Sequence, residues 1–380
     1  MKKISEGLIF LYLVLFPFGQ LARLPIKMAN FPEVNIYLTD LIIGVSGLIG
    51  LIGITREKIE RLAKLMIIFL GIAGLSLIVK IPFLEKREIL VSSLYWLRLT
   101  AYFGFYLLLK QINWQNWQKY LLTVGGATAI FGLIQYFFWP DLRILSLFGW
   151  DDHFYRLVGT FLDPNFTGII LVLTLILIIE NFQKKAIYYF LLIIGYLSLA
   201  LTYSRASYLA FLGGIASLAI LKKKIKIIPL IILIIFITVI ILPRKWGGEG
   251  VKLERVFSIE ARVKNWYQAM IIFKDNPLLG VGFNTYRYTQ RKYGFLDEEK
   301  WLISHSGAGV DNSFLFILAT TGILGGIAVL FLLREIFCHA IKKSPLIFAS
   351  LVAVIIHSFF NNTLFYPWVM GWLAIILSKL

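Results

Sequence analysis

Four stretches of the 380-residue chain set guanidinium, carboxylate, amide or imidazole groups beside apolar runs, and these are the side chains that bind anions and move protons. GTFLDPNFTG (Gly159 to Gly168) places Asp163, Pro164 and Asn165 in a turn or helix start, where an Asp or Asn also caps a helix. LTYSRASYLAF (Leu201 to Phe211) places Arg205 at the junction of two apolar runs. A charge there needs a partner, an aqueous cavity or a snorkelling route to water. In EARVKNWYQAMIIFKDNPLLGVGFNTYRY (Glu260 to Tyr288), Val263, Trp266, Ala269, Met270 and Phe273 recur at helical spacing before Pro277 ends the helix. Arg262 and Trp266 share a face of that helix, an arrangement that also suits the lipid headgroup layer. HSGAGVDNSFLFILATTGILGG (His305 to Gly326) leads from His305 through a glycine-rich approach to Asp311 and Asn312. Asp311 serves equally as a cap for the apolar run that follows.

Other chemistries lack their residues. The sequence has no GxxxxGK phosphate loop, no GxGxxG after a strand, no HExxH and no paired CxxC, which argues against ATP hydrolysis and nicotinamide redox chemistry. GVG at Gly280 to Gly282 reads as a turn. DDHF (Asp151 to His153) has metal-ligand types, but three adjacent residues rarely converge on one ion, and neither a metal nor a cofactor is expected. The formal charge of +17 invites a nucleic-acid partner, yet the basic residues lie in short clusters between apolar runs, so none is expected. The single cysteine, Cys338, cannot make an intrachain disulfide.

The elements that position these residues follow from hydropathy. With 59% hydrophobic and 16% charged residues and a mean hydropathy of +0.79, the bilayer is the expected solvent. The apolar runs predict an all-α polytopic membrane protein of about twelve transmembrane helices, over 7–22, 36–54, 62–79, 89–109, 120–139, 166–179, 186–202, 206–221, 225–242, 312–333, 346–360 and 364–380. Strand alternation is absent, which argues against a barrel. The positive-inside rule predicts both termini cytoplasmic, with 18 of the 38 basic residues in the cytoplasmic loops. MKK and its apolar run read as a retained first helix. Residues 1–380 are expected to form one transmembrane domain, into which 243–310 inserts as a large external, periplasmic loop between spans nine and ten.

In their order and spacing, the four motif segments resemble the O-antigen ligase and O-antigen polymerase superfamily of bacterial envelope enzymes. The SRAS turn, the R-x-x-x-W helix running into NPLLGVG, and DNSFL…TGILGG carry the resemblance, from Gly159 to about Gly326. It implies a metal-independent glycosyltransferase of lipopolysaccharide biosynthesis in the cytoplasmic (inner) membrane. Such an enzyme moves a glycan from a polyprenyl (undecaprenyl) diphosphate carrier to an acceptor hydroxyl at the outer face. Ligases use the lipid A core as acceptor, and polymerases another carrier-linked repeat unit. Membrane lipids are the remaining partners. The resemblance places Arg205 and Arg262 at the positions of the functional arginines, as diphosphate ligands, with Asn312, Trp266, Asp163 and Asn165 in support. Ligases usually have His before the Asn where this chain has Asp311, which leaves Asp311 or His305 as the base and keeps the polymerase reading open.

Physical chemistry agrees on what such a site needs. A guanidinium grips phosphate oxygens with two parallel hydrogen bonds, and fixed cations stabilise a diphosphate as it leaves. A carboxylate among arginines is expected to have a lowered pKa, and an imidazole to titrate near neutrality. That favours His305 on chemistry, while motif position favours Asp311. The aromatics Trp246, Trp266, Tyr267, Tyr286, Tyr288, Tyr293 and Trp301 suit sugar stacking or interface anchoring. Arg98, Gln135 and His357 either line the same cavity or satisfy one another. Two readings from other classes stand beside the enzyme: a transporter or flippase of lipid-linked sugars, and a noncatalytic assembly scaffold.

Overall fold

The computed structural model describes residues 2–24, 34–53, 60–148, 150–243, 247–296, 301 and 309–380. Among them the protein is all-helical, with two isolated β-bridges and no strand. Each of the twelve apolar runs overlaps a helix: α1 (Lys2–Leu15), α2 (Leu38–Gly53), α3 (Arg61–Lys80), α4 (Lys86–Ile112), α5 (Trp117–Phe138), α6 (Pro164–Glu180), α7 (Ala186–Leu201), α8 (Arg205–Leu221), α9 (Ile227–Ile241), α12 (Ser313–Lys343), α13 (Pro345–Ser358) and α14 (Pro367–Leu377). Between α9 and α12 lie α10 (Phe257–Asp275) and the short α11 (Tyr286–Lys292). Among the described residues four segments are, by length and composition, long and apolar enough to cross a membrane: Lys2–Leu21, Arg61–Phe83, Trp117–Phe138 and Ser313–Lys343. Seven further apolar helices are shorter. Ile52, Ile78, Ile193, Ile240 and Leu330 are each more than 60% exposed, so the outer surface is apolar, as contact with lipid tails requires.

The bundle is built around α6, in which every residue from Thr167 to Ile178 is buried. A helix apolar on all sides belongs at the centre of such a bundle. The periphery is the opposite case: among the fifteen residues of α9 only Ile231 is buried. Close approach between helices depends on small residues. A Cβ on Gly50 would lie 2.0 Å from the Gly104 carbonyl oxygen, and one on Gly104 would lie 2.3 Å from that of Gly47. The α2–α4 seam is thus backbone against backbone.

α12 is longer than its apolar run and is broken within it, at Gly322 (φ 64°). The NPLLGVG segment fills the break by exchanging hydrogen bonds. Ile323 N–H donates to the Pro277 carbonyl (2.8 Å) and Leu324 N–H to Leu278 (3.4 Å), while the Ala319 and Thr320 carbonyls accept from Val281 (3.0 Å) and Gly282 (3.1 Å). Gly280 also has a positive φ, and a Cβ there would meet the Thr320 backbone at 2.4 Å. The glycine turn read from the sequence is therefore a lock between this arm and α12. α10 then packs on α12 through Ala269 and Ile272, leaving Val263 54% exposed and Tyr267 68% exposed. The apolar spacing put Val263 with the packed face. It faces outward because the helix is rotated to bring Asn265 and Trp266 onto Asp311.

Candidate active site

Three helices begin at the same place. Leu162 (φ 54°) and Tyr203 (φ 50°) adopt left-handed backbone, a conformation costing on the order of 1–3 kcal/mol at a non-glycine residue and held only where surroundings enforce it. Each turns the chain into a capped helix. Asp163 Oδ1 accepts from Asn165 N (2.6 Å) and Phe166 N (3.1 Å) at the start of α6. Ser204 Oγ accepts from Ser207 N (3.3 Å) at the start of α8. Asn312 Oδ1 accepts from Phe314 N (2.9 Å) and Leu315 N (3.0 Å) at the start of α12. The starts are tied together side chain to side chain. Ser204 Oγ donates to Asn165 Oδ1 (2.7 Å). Ser207 Oγ lies 3.4 Å from His357 Nε2, which is 3.4 Å from Asn361 Nδ2, and Ser313 Oγ donates to the Asn361 carbonyl (3.2 Å). Helix N-termini gathered in this way present partial positive charge to one point.

Around that point stand four arginines. Arg205 donates to the Leu253 (3.1 Å) and Arg255 (3.2 Å) carbonyls and to Ser258 Oγ (2.6 Å), so it holds the entry to α10. Arg255 donates to the Gly250 and Lys252 carbonyls (both 2.8 Å) and to Tyr203 (3.4 Å). Arg156, buried, donates to the Thr202 (3.0 Å) and Tyr203 (3.5 Å) carbonyls. Arg156 and Arg255 thereby brace the left-handed turn that precedes Arg205. Among the described residues none of these three forms an ion pair with a carboxylate, and Arg262 makes neither a hydrogen bond nor an ion pair. Burial, with Arg205 and Arg262 nearby, lowers Arg255 to about 10. Burial and Arg255 lower Arg156 to about 9, against the pull of Asp163 and Asp151. Arg156 and Arg255 stay cationic at neutral pH, so the cluster offers positive charge to a polyanion.

Asp311 lies among them. Its backbone is clamped by α10: Asp311 N donates to Asn265 Oδ1 (2.9 Å), and Trp266 Nε1 donates to the Asp311 carbonyl (3.0 Å). Arg262, Asn265 and Trp266 stand at i, i+3 and i+4, one face of the helix, so the clamp that fixes Asp311 also delivers Arg262. The carboxylate itself makes no hydrogen bond among the described residues. Its pKa is raised to about 6 by burial, opposed by Arg262 and reinforced by Asp151 and Asp163. The expected lowering by arginines is thus reversed, because desolvation of the carboxylate outweighs the one guanidinium that opposes it. Burial likewise raises Asp163. His153 is buried beside Arg156 and Arg255 and is held neutral, its pKa lowered to about 3. Among the described residues no group of three His, Cys, Asp or Glu has metal-binding geometry.

The structure therefore gathers Arg205, Arg262, Asp311, Asn312, Trp266, Asp163 and Asn165 at one end of the bundle. His305 and Trp246 lie outside the described residues. His357 joins the cluster through Ser207, whereas Arg98 pairs with Asp40 (2.8 Å) between α2 and α4. Gln135 binds the Val158 (2.9 Å) and Gly159 (3.1 Å) N–H groups instead. Sequence reading missed Arg156, Arg255, Asn265 and Asn361. Asn265 sits three residues from Arg262 on a predicted helix and was within reach of a face argument. The two arginines are isolated in loops and give no periodic signal.

A helical membrane bundle with an arginine-lined, carboxylate-bearing recess at one end defines the class of protein. Residues 187–330 of the chain match the family model described as O-antigen ligase (Wzy_C). The match takes in Arg205, Arg262, Asp311 and Asn312. The Asp163–Asn165 turn precedes it, and His357 follows it. No curated protein matches the chain.

Proposed function

We propose that the protein is a multi-pass enzyme of the cytoplasmic (inner) membrane, crossing it about twelve times, with both termini cytoplasmic and residues 243–310 external. There it transfers a glycan from a polyprenyl diphosphate carrier to an acceptor hydroxyl, the lipid A core in the ligase reading. The observation that carries this reading is the set of arginines that, among the described residues, form no ion pair with a carboxylate, gathered around Asp311, whose carboxyl is raised to about 6 by burial. A lipid-bound diphosphate cannot leave the bilayer, so its site belongs at the membrane boundary with fixed positive charge. Arg262, which makes no hydrogen bond or ion pair among the described residues, grips the diphosphate, and Arg205 holds α10 so that Arg262 reaches it. As the acceptor oxygen bonds to the anomeric carbon, the bond from that carbon to the diphosphate oxygen breaks, and the arginines take up the charge gained by the leaving group. Asp311 takes the acceptor proton, and a base with a pKa near the working pH suits that task. Arginines thus carry the electrostatic load with no metal required. His305 remains the second candidate base. Asn312, Asp163 and Asn165 set the three helix starts, and Trp266 fixes Asp311.

Arg262→Ala in purified protein should abolish transfer from carrier-linked glycan while leaving membrane insertion and thermal unfolding unchanged, and Arg205→Ala should abolish transfer as well. Wild-type rates in both would sink the mechanism. Transfer in detergent also separates an enzyme from a flippase, which needs two compartments. Asp311, standing where ligases usually have His, favours a second reading as a polymerase joining carrier-linked units. Supplying lipid A core and carrier-linked acceptors in parallel decides between the two.

A further inference from the structure

The turn between α13 and α14, residues 359–366, lies beyond the segment that the family model matches, yet it is fastened to the chain on both sides of Asp311. On the C-terminal side Asn312 Nδ2 donates to the Phe359 carbonyl (3.2 Å), Ser313 Oγ donates to that of Asn361 (3.2 Å), and Leu364 N donates to Ser313 Oγ (3.1 Å). On the N-terminal side a Cβ on Gly309 would lie 3.4 Å from Asn362 Nδ2. The Gly309 carbonyl accepts from Asn265 Nδ2 (3.3 Å), and Asn265 Oδ1 accepts from Asp311 N (2.9 Å). Within the turn Thr363 Oγ1 lies 2.7 Å from His357 Nδ1. A turn tied at this many points holds its side chains in place before a ligand arrives, which lowers the cost of binding one.

The amides around Asp311 are bonded with one exception. Asn265, Asn312 and Asn361 all have partners, whereas the half-buried Asn362 has none among the described residues, and its Oδ1 is a buried acceptor without a donor. Such a group costs about 1–3 kcal/mol unless something else satisfies it. Beside it the Phe360 ring lies 6.4 Å from that of Trp266, tilted by 39°, and both are half-buried. Trp266 Nε1 is bonded to the Asp311 carbonyl, and Trp266 stands one helical turn beyond Arg262 on α10. The base therefore has guanidinium on one side and an aromatic pair with an uncommitted amide on the other. Aromatic faces with a few placed polar groups suit a sugar ring: its C–H face lies on the rings, and an amide donates to one hydroxyl while accepting from the next. We infer that this turn is the acceptor subsite, taking a pyranose ring against Phe360 and Trp266 with adjacent hydroxyls on Asn362, so that a further hydroxyl meets Asp311. The inference rests on the function proposed above and adds the class of acceptor, recognised by its ring rather than by its lipid.

The test separates the two substrates kinetically. Transfer from carrier-linked glycan is measured in detergent, with lipid A core and carrier-linked acceptors supplied in turn, for Asn362→Ala and for Phe360→Leu, which keeps apolar bulk and removes the ring face. The expected result is a KM for the acceptor raised about fivefold or more in each, with the KM for the donor and the thermal unfolding midpoint unchanged. Phe360→Tyr, which restores a ring, should return the acceptor KM to the wild-type value. Asn362 bonds to nothing among the described residues, so Asn362→Ala probes the amide without loosening the turn, whatever Phe360→Leu does to the fold. Phe359→Leu, at the exposed ring of the same turn, is the control and should leave both KM values unchanged. A rise in the donor KM instead would make the turn part of the donor site. Unchanged KM values for both substrates, with or without a fall in kcat, would make it a structural clasp. Either result overturns the inference and leaves the proposed reaction standing. If the wild-type protein transfers to neither acceptor, the reaction fails and the inference with it.

Discussion

Asp311 ties the chemistry to pH with a defined sign. Its pKa is raised to about 6, so the ionised, proton-accepting form grows as pH rises through that value. In the proposed mechanism kcat/KM should therefore climb about tenfold per unit at pH well below 6 and level off above about 7. Asp311→Asn should remove this limb and lower the rate about 10²- to 10⁴-fold. Stability runs the other way. A carboxyl group whose folded pKa lies above the unfolded one stabilises the fold below the unfolded value, near 3.8, and that contribution is lost as pH rises through about 6. Asp311→Asn should accordingly unfold at a higher temperature than wild type at pH 7, with the difference shrinking towards pH 4. A variant no more stable at pH 7 would mean that the carboxylate is not desolvated. At this scale the sequence was readable where a motif set the position, as at Arg205, Arg262 and Asp311. It was unreadable where the neighbours come from distant loops: Arg156 and Arg255 reach the Tyr203 carbonyl from 47 and 52 residues away.

At the scale of elements, a window of apolar residues was enough to find the twelve apolar helices, since each of the twelve runs overlaps one. The break in α12 was not legible, because one glycine inside an apolar run is tolerated in a helix and carries no sign of what replaces its hydrogen bonds. Gly322 also has no room for a side chain: a Cβ would lie 2.2 Å from the Leu278 carbonyl oxygen. Gly322→Ala should lower the unfolding midpoint in detergent and loosen the arm, which limited proteolysis between α10 and α11 would report. The expected cost is about 2 kcal/mol or more, combining the positive φ with the clash. Gly44→Ala, at a glycine of α2 whose added Cβ would meet nothing within 4 Å, is the control.

For the whole molecule the prediction concerns orientation. Cys338 is exposed near the end of α12 opposite the site, and the proposed topology puts it in the cytoplasm. A membrane-impermeant thiol reagent should label it in inverted vesicles and not in intact spheroplasts, and the reverse result would turn the site inward. The exchange at Gly322 bears on assembly as well. Ala319 and Thr320 have carbonyls that their own helix does not cap, and in a bilayer such groups cannot be left open. The groups that cap them come from residues 277–282, earlier in the chain, so the two ends of the break in α12 can enter the lipid with their backbone satisfied only together with that arm.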